Sequence, residues 1–295
     1  MSIRFDNRVV IVTGAAGGLG RAHALAFAAR GAKVVVNDLG SARDGAGSSN
    51  AAARVVEEIH ALGGEAISNG ANVTNMAEVE AMVAAAMERW GRVDVLVNNA
   101  GILRDKTFAR MDLEDFRLVV EIHLMGSINA TKAVWDIMRR QNYGRIVMTT
   151  SSSGLYGNFG QANYSAAKLA LVGAMQTLAL EGAKHGIHVN SLAPTAATRM
   201  TSQIMDEASL QRLAPEFVSP AVLFLASQNA PTRCILAAGA GGFEVANITL
   251  TRGIYAVGDD AAEQIEAQFA AIADRTGEQV PQSGSAQALF ELSKR

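Results

Sequence analysis

VVIVTGAAGGLG occupies residues 9–20 of the chain. Residues 9–12 are a short continuous apolar run, the pattern of a strand buried on both faces, and the glycines that follow lead into the alanine-rich stretch 21–30. The chain therefore opens as strand, glycine loop, helix. Glycine has no Cβ, so the N–H groups of such a loop and of the helix behind it can approach a pyrophosphate closely. Its place after strand one and before helix one is the context the motif requires, and it nominates Gly14, Gly18, Leu19 and Gly20 as dinucleotide contacts. Asp38 ends the second strand. A carboxylate there accepts hydrogen bonds from the ribose hydroxyls of NAD and repels the 2′-phosphate of NADP, and no arginine follows it directly, so NAD is the expected cofactor.

The same alternation continues outward. Residues 33–37, 93–98, 145–150, 187–191 and 235–238 read as apolar strands, and residues 51–62, 76–90, 113–140, 164–185 and 215–227 as helices. Glycines at 31, 63, 91 and 186 stand where helices stop. Strands apolar on both faces and separated by helices imply a doubly wound, Rossmann-like parallel sheet of the α/β class. The stretch from Leu39 to Ser49 is a polar, glycine-rich loop. After Gly241 come residues 249–257, a helical piece over 261–273 and a polar tail. The expected organisation is a single domain, 1–295, with a core over about 5–245 and a C-terminal extension over 246–295.

Hydrophobic residues are 49% of the chain and charged residues 18%, which suits a core with a solvated surface. The net charge is −2 and the basic residues are scattered, so neither nucleic acid nor an anionic membrane is an expected partner. Cys234 is the one cysteine and forms no internal disulfide, residues 1–8 carry no leader pattern, and no apolar run is long enough to span a bilayer. A soluble cytoplasmic protein without a metal site is expected.

Tyr164 and Lys168 lie four apart at the start of a helix and so share one face. An ammonium near a phenol favours phenolate, which would lower the tyrosine pKa toward the working pH and make it a usable acid or base. Ser151 leaves the fifth strand, where a hydroxyl can hydrogen-bond a substrate oxygen as charge develops. Asn99, Ala100 and Gly101 follow Asn98 at the end of the fourth strand, where ligands bind in such sheets.

The glycine motif at 13–20, Asn98-Asn99-Ala100-Gly101, Ser151, and Tyr164 with Lys168 stand together in the order and spacing of the short-chain dehydrogenase/reductase family, which the chain resembles over roughly residues 5–245. The resemblance implies a seven-stranded sheet, Ser151 polarising the substrate oxygen, Tyr164 as general acid/base, and Lys168 holding the nicotinamide ribose. It also implies cofactor contacts at Asn72 and Val73. Where the family commonly has an asparagine completing a proton relay, this chain has His123, which can also relay protons.

Residues 34–40, 98–111, 156–173 and 192–200, with His123, resemble more finely the (3R)-hydroxyacyl-CoA dehydrogenase unit of peroxisomal multifunctional enzyme type two and its free-standing bacterial relatives. That resemblance implies NAD-dependent oxidation of (3R)-3-hydroxyacyl-CoA by a homodimer or higher homo-oligomer. A 17β-hydroxysteroid or other hydrophobic secondary alcohol is the alternative substrate, and a non-catalytic dinucleotide-binding regulator is the alternative of another class. The chain ends Leu292-Ser293-Lys294-Arg295 rather than in a Ser-Lys-Leu address, so a cytosolic bacterial enzyme is expected. Arg104, Lys106 and Arg110 are candidates for contacts to CoA phosphates.

Overall fold

Continuous burial of Val9–Thr13 leaves that segment no solvated face, so its backbone groups must pair with strands on both sides. The computed structural model describes residues 2–40, 50–196 and 207–294. Its strands are β1 (Val9–Thr13), β2 (Lys33–Asn37), β3 (Glu65–Asn69), β4 (Val95–Asn98), β5 (Gly144–Thr149), β6 (Ile187–Pro194), β7 (Ile235–Gly239) and β8 (Gly242–Ala246). They form one sheet in the order β3-β2-β1-β4-β5-β6-β7-β8. Every pairing from β3 to β7 is parallel, with Val10 of β1 opposite Val34 of β2 and Val95 of β4.

Two features of this sheet depart from the sequence reading. β3 is absent from the strands it names, because EAISN is an edge strand with one buried residue and no apolar run to reveal it. The sheet also has eight strands instead of seven: Ala240 and Gly241, with φ +52° and +82°, form a two-residue connection of the kind that reverses a strand, and β8 joins the sheet beside β7.

Helices α1 (Gly18–Ala28), α2 (Ala51–Ala61), α3 (Met76–Trp90), α4 (Leu113–Val120), α5 (Gly126–Gln141), α6 (Ser152–Tyr156), α7 (Ala162–Gly182), α8 (Glu207–Arg212) and α9 (Ser219–Leu225) accompany the sheet. The single helix expected over 113–140 is interrupted. Glu121–Met125 is a π turn between α4 and α5, in which the Gly126 N–H donates to the Glu121 carbonyl five residues back. The connections run to opposite faces on either side of β1, so the carboxyl ends of β1 and β4 border the crevice where such sheets bind ligands.

The opposite, amino ends of the strands are held by charge. Asp94, fully buried just before β4, accepts from the Val9 N–H at 2.9 Å and from Arg8 at 2.8 Å, and takes two bonds from Arg92. The guanidiniums of Arg8 and Arg145 lie 3.8 and 4.3 Å from the centroid of the Tyr143 ring. Arg145 itself is buried and donates to the carbonyls of Gly144, Gly186, Ser227 and Gln228.

The contacts divide the chain into two compact units, Met1–Val245 and Ala246–Arg295. The second contains α10 (Ala261–Ala267), α11 (Phe269–Ile272) and α12 (Gly284–Leu292), tied by the Leu250–Gln279 bridge and by a Thr251 hydroxyl donating to the Ile272 carbonyl at 2.7 Å. α12 falls within the expected polar tail; Leu289 and Leu292 on it are exposed, so the amphipathic signal that marks a buried helix is weak. Of the loop expected over 39–49, residues 41–49 lie outside the described residues, as do 197–200 of the segment used for the finer resemblance. Among the described residues no helix is long and apolar enough to cross a membrane.

Candidate active site

Thr13 ends β1, and its hydroxyl accepts from the Asn99 and Ala100 N–H groups at 3.0 and 3.1 Å. The Asn99 carboxamide returns two bonds, to the Thr13 and Gly14 carbonyls, both at 3.0 Å. The glycine loop is thus stitched to the exit of β4. Gly14 has φ +64°, and a Cβ on it would stand 2.7 Å from the Ala100 Cα, so only glycine lets the two turns close; a Cβ on Gly20 would overlap the Gly14 carbonyl. Gly18 and Leu19 open α1, whose N-cap Gly17 supplies no side-chain cap. The first N–H groups of that helix are left for an anion, and the loop fits a dinucleotide pyrophosphate on that ground.

Asp38 lies beside this loop. One of its oxygens accepts from the Ala16 N–H at 2.9 Å and the other from the Gly40 N–H at 2.7 Å, which fixes the carboxylate at the end of β2. Asn72 and Val73 follow β3. The Asn72 carboxamide oxygen accepts from the Thr74 N–H and hydroxyl, and the Val73 carbonyl accepts from Asn129 of α5 at 3.0 Å. Both belong to the side of the crevice that β2 and β3 border.

At the reacting side, Ser151 caps α6, its hydroxyl accepting from the Ser153 N–H at 3.1 Å. Tyr164 and Lys168 lie one turn apart on α7. The Lys168 ammonium donates to the Thr149 carbonyl at 2.6 Å and sits 5.6 Å from the centroid of the Tyr164 ring. Burial pushes Lys168 down to about 7. Tyr164 differs from the expectation that the ammonium lowers it. Burial raises its pKa, a hydrogen bond with Ser151 pulls the other way, and Asp105 adds a smaller rise. The phenol's neighbour in hydrogen bonding is Ser151, and Lys168 retains donors beyond the one it gives to Thr149.

His123 is buried on the π turn. Its Nε2 lies 2.8 Å from the Ile102 carbonyl and 3.1 Å from the Ile102 N–H, and its Nδ1 has no hydrogen-bond partner among the described residues. The imidazole and Tyr164 rings are perpendicular with centroids 5.2 Å apart. Burial first, and then the Lys168 charge, push His123 down to about 3, so the ring is neutral. Lys106 is held by Asp112 and Asp115 at 2.9 and 3.0 Å, Arg104 is 3.9 Å from Asp115, and Arg110 is exposed on a short 3-10 turn. Lys106 therefore already faces two carboxylates.

Three residues enter the site that sequence reasoning did not single out as contacts. Thr13 ties the two loops, Thr149 holds Lys168, and Asn163 joins both sides by accepting from the Tyr164 N–H at 2.7 Å and donating to the Arg104 carbonyl at 3.0 Å. Thr13 stands at the head of the glycine motif, where its hydroxyl could have been noticed; the other two act through contacts that leave no local signal.

The short chain dehydrogenase family profile matches residues 8–209. Peroxisomal multifunctional enzyme type 2 of Mus musculus is 54% identical over 228 residues, covering 77% of this chain and 31% of that protein. Peroxisomal multifunctional enzyme A of Dictyostelium discoideum is 45% identical over 287 residues, 97% of this chain and 64% of that one. The chain thus spans about a third and just under two thirds of these two relatives. Among solved structures, a short chain dehydrogenase from Mycobacterium avium superposes with a TM-score of 0.79 at 40% identity, covering 92% of this chain and 96% of that one.

Proposed function

The chain belongs to the short-chain dehydrogenase family, and from that premise we propose that it oxidises (3R)-3-hydroxyacyl-CoA to 3-ketoacyl-CoA with NAD. Members of this family are oxidoreductases that act on CH–OH groups with a nicotinamide dinucleotide. The reading of this chain's own chemistry is supported above all by one observation: Ser151, Tyr164 and Lys168 converge where β5 leaves the sheet. The multifunctional relatives support the acyl-CoA substrate.

In this reading the Ser151 hydroxyl holds the substrate oxygen, and Tyr164 as phenolate takes the proton from the substrate hydroxyl. The C–H bond at the same carbon breaks as the C=O bond forms. When bound, the dinucleotide supplies the nicotinamide ring that accepts the hydride. Gly14, Gly18, Leu19 and Gly20 would hold its pyrophosphate and Asp38 its adenosine ribose, with Asn72, Val73, Asn99, Ala100 and Gly101 as further contacts. Lys168, when protonated, would be the donor for the nicotinamide ribose. The enzyme is cytoplasmic and homodimeric in this reading.

The test is a substrate panel followed by NADH absorbance: (3R)-3-hydroxyacyl-CoA of several chain lengths, their (3S) counterparts, and 17β-hydroxysteroids. Turnover confined to the (3R)-thioesters is expected; turnover of the steroids alone overturns the acyl-CoA reading. Light scattering on the purified protein reads the subunit number.

A further inference from the structure

His123 reaches the site by an unusual backbone. The π turn inserts one residue between α4 and α5, and the Ser127 hydroxyl donates to the His123 carbonyl at 2.6 Å. The ring it delivers is fixed on two sides. On one, Nε2 meets both backbone groups of Ile102, and a Cβ on Gly101 would overlap the imidazole, so Gly101 is the seat of the ring. On the other, it stands perpendicular to the ring of Tyr164. Nδ1 is buried and meets no hydrogen-bonding group among the described residues.

We infer that His123 is a positioning residue: its ring clamps the Gly101–Ile102 turn to Tyr164, joining the dinucleotide side of the crevice to the phenol, and moves no proton itself. The inference rests on the reading of Tyr164 as the general base. A neutral imidazole suits the role because it packs against an aromatic ring without adding charge beside it. The clamp has two separable halves. Phenylalanine at 123 keeps a ring against Tyr164 and gives up the hydrogen bond that Nε2 makes with Ile102, to its carbonyl in one tautomer or from its N–H in the other. Asparagine can serve the Ile102 N–H and carbonyl together and gives up the ring.

The experiment compares His123→Phe, His123→Asn and His123→Ala in the full chain by two measurements that need no substrate. The first is the titration of Tyr164, read as the ultraviolet difference between each protein and its Tyr164→Phe counterpart. The groups that face the phenol are Ser151, Lys168, Asp105 and His123, and only the last is changed. The second is NADH affinity by fluorescence. His123→Phe is expected to keep the titration and weaken NADH about threefold to tenfold. His123→Asn is expected to keep NADH affinity, and its titration falls by about one pH unit as water reaches the phenol. His123→Ala shows both changes, and the other two variants decide the matter if it does not fold. Unchanged values in both Phe and Asn overturn the clamp. So does a Phe variant with normal titration and NADH affinity whose turnover is lost and is restored by added imidazole, since that ring moves a proton. Should the chain turn over no 3-hydroxyacyl-CoA, the substrate reading fails while these two measurements still decide the role of His123.

Discussion

Tyr164 is held by opposing influences: burial keeps the phenol protonated, and the hydrogen bond with Ser151 works against it. In the proposed mechanism oxidation needs the phenolate and reduction the phenol, so the rate of oxidation is expected to rise with pH and the rate of ketone reduction to fall, which paired pH profiles of kcat/KM would show. Tyr164→Phe removes the proposed proton acceptor and leaves the glycine loop intact; turnover is expected to drop by about 10²–10⁴-fold with NADH affinity unchanged by fluorescence titration. In the proposed reading Asp38 carries the cofactor preference. Asp38→Ser removes the charge that repels a 2′-phosphate, and the ratio of kcat/KM for NAD over NADP is expected to fall at least tenfold, or about 1.4 kcal/mol. At this scale the sequence was informative where chemistry is local. A glycine loop and a tyrosine four residues before a lysine are visible as letters, whereas the raised phenol pKa depends on burial, and the Thr149 partner of Lys168 comes from another element.

Among the elements, α3 was legible to the residue because Asn75 caps it and Gly91 ends it in the left-handed region, both signals written beside the helix itself. The π turn at Glu121–Met125 was not: an inserted residue leaves the apolar and polar letters of a continuous helix unchanged. β3 was hidden for a different reason, since an edge strand shows part of its length to water. α1 bears a further titratable group. His23 is fully buried, its Nδ1 is 2.9 Å from the Ser219 hydroxyl of α9, and burial pushes it from 6.5 down to about 3. Between those values the unfolded chain binds the extra proton. The stability contributed by keeping this ring neutral is whole above pH 6.5 and is lost as the pH falls toward 3. Urea unfolding at several acid pH values is expected to show a slope of stability against pH that is smaller by about 1.4 kcal/mol per pH unit in His23→Gln.

Across the whole molecule, the strand order and the turning of the connections about β1 place every residue nominated for the cofactor or the reaction within the first compact unit. A parallel sheet was legible from its doubly apolar strands; its eighth member was not, because β8 has no buried residue. The amino ends of the strands carry their own group of charges. Asp94→Ala leaves Arg8 and Arg92 without this carboxylate and the Val9 N–H without its acceptor, and is expected to cost about 3 kcal/mol in urea denaturation with kcat/KM unchanged.

Anchorage by Asp94 at one rim and glycine-lined openness at the other make durability and reactivity separately adjustable in this protein. Substitutions around the Tyr164 crevice can re-tool it for an alcohol of another shape while the buried aspartate at the far rim goes on holding the sheet together.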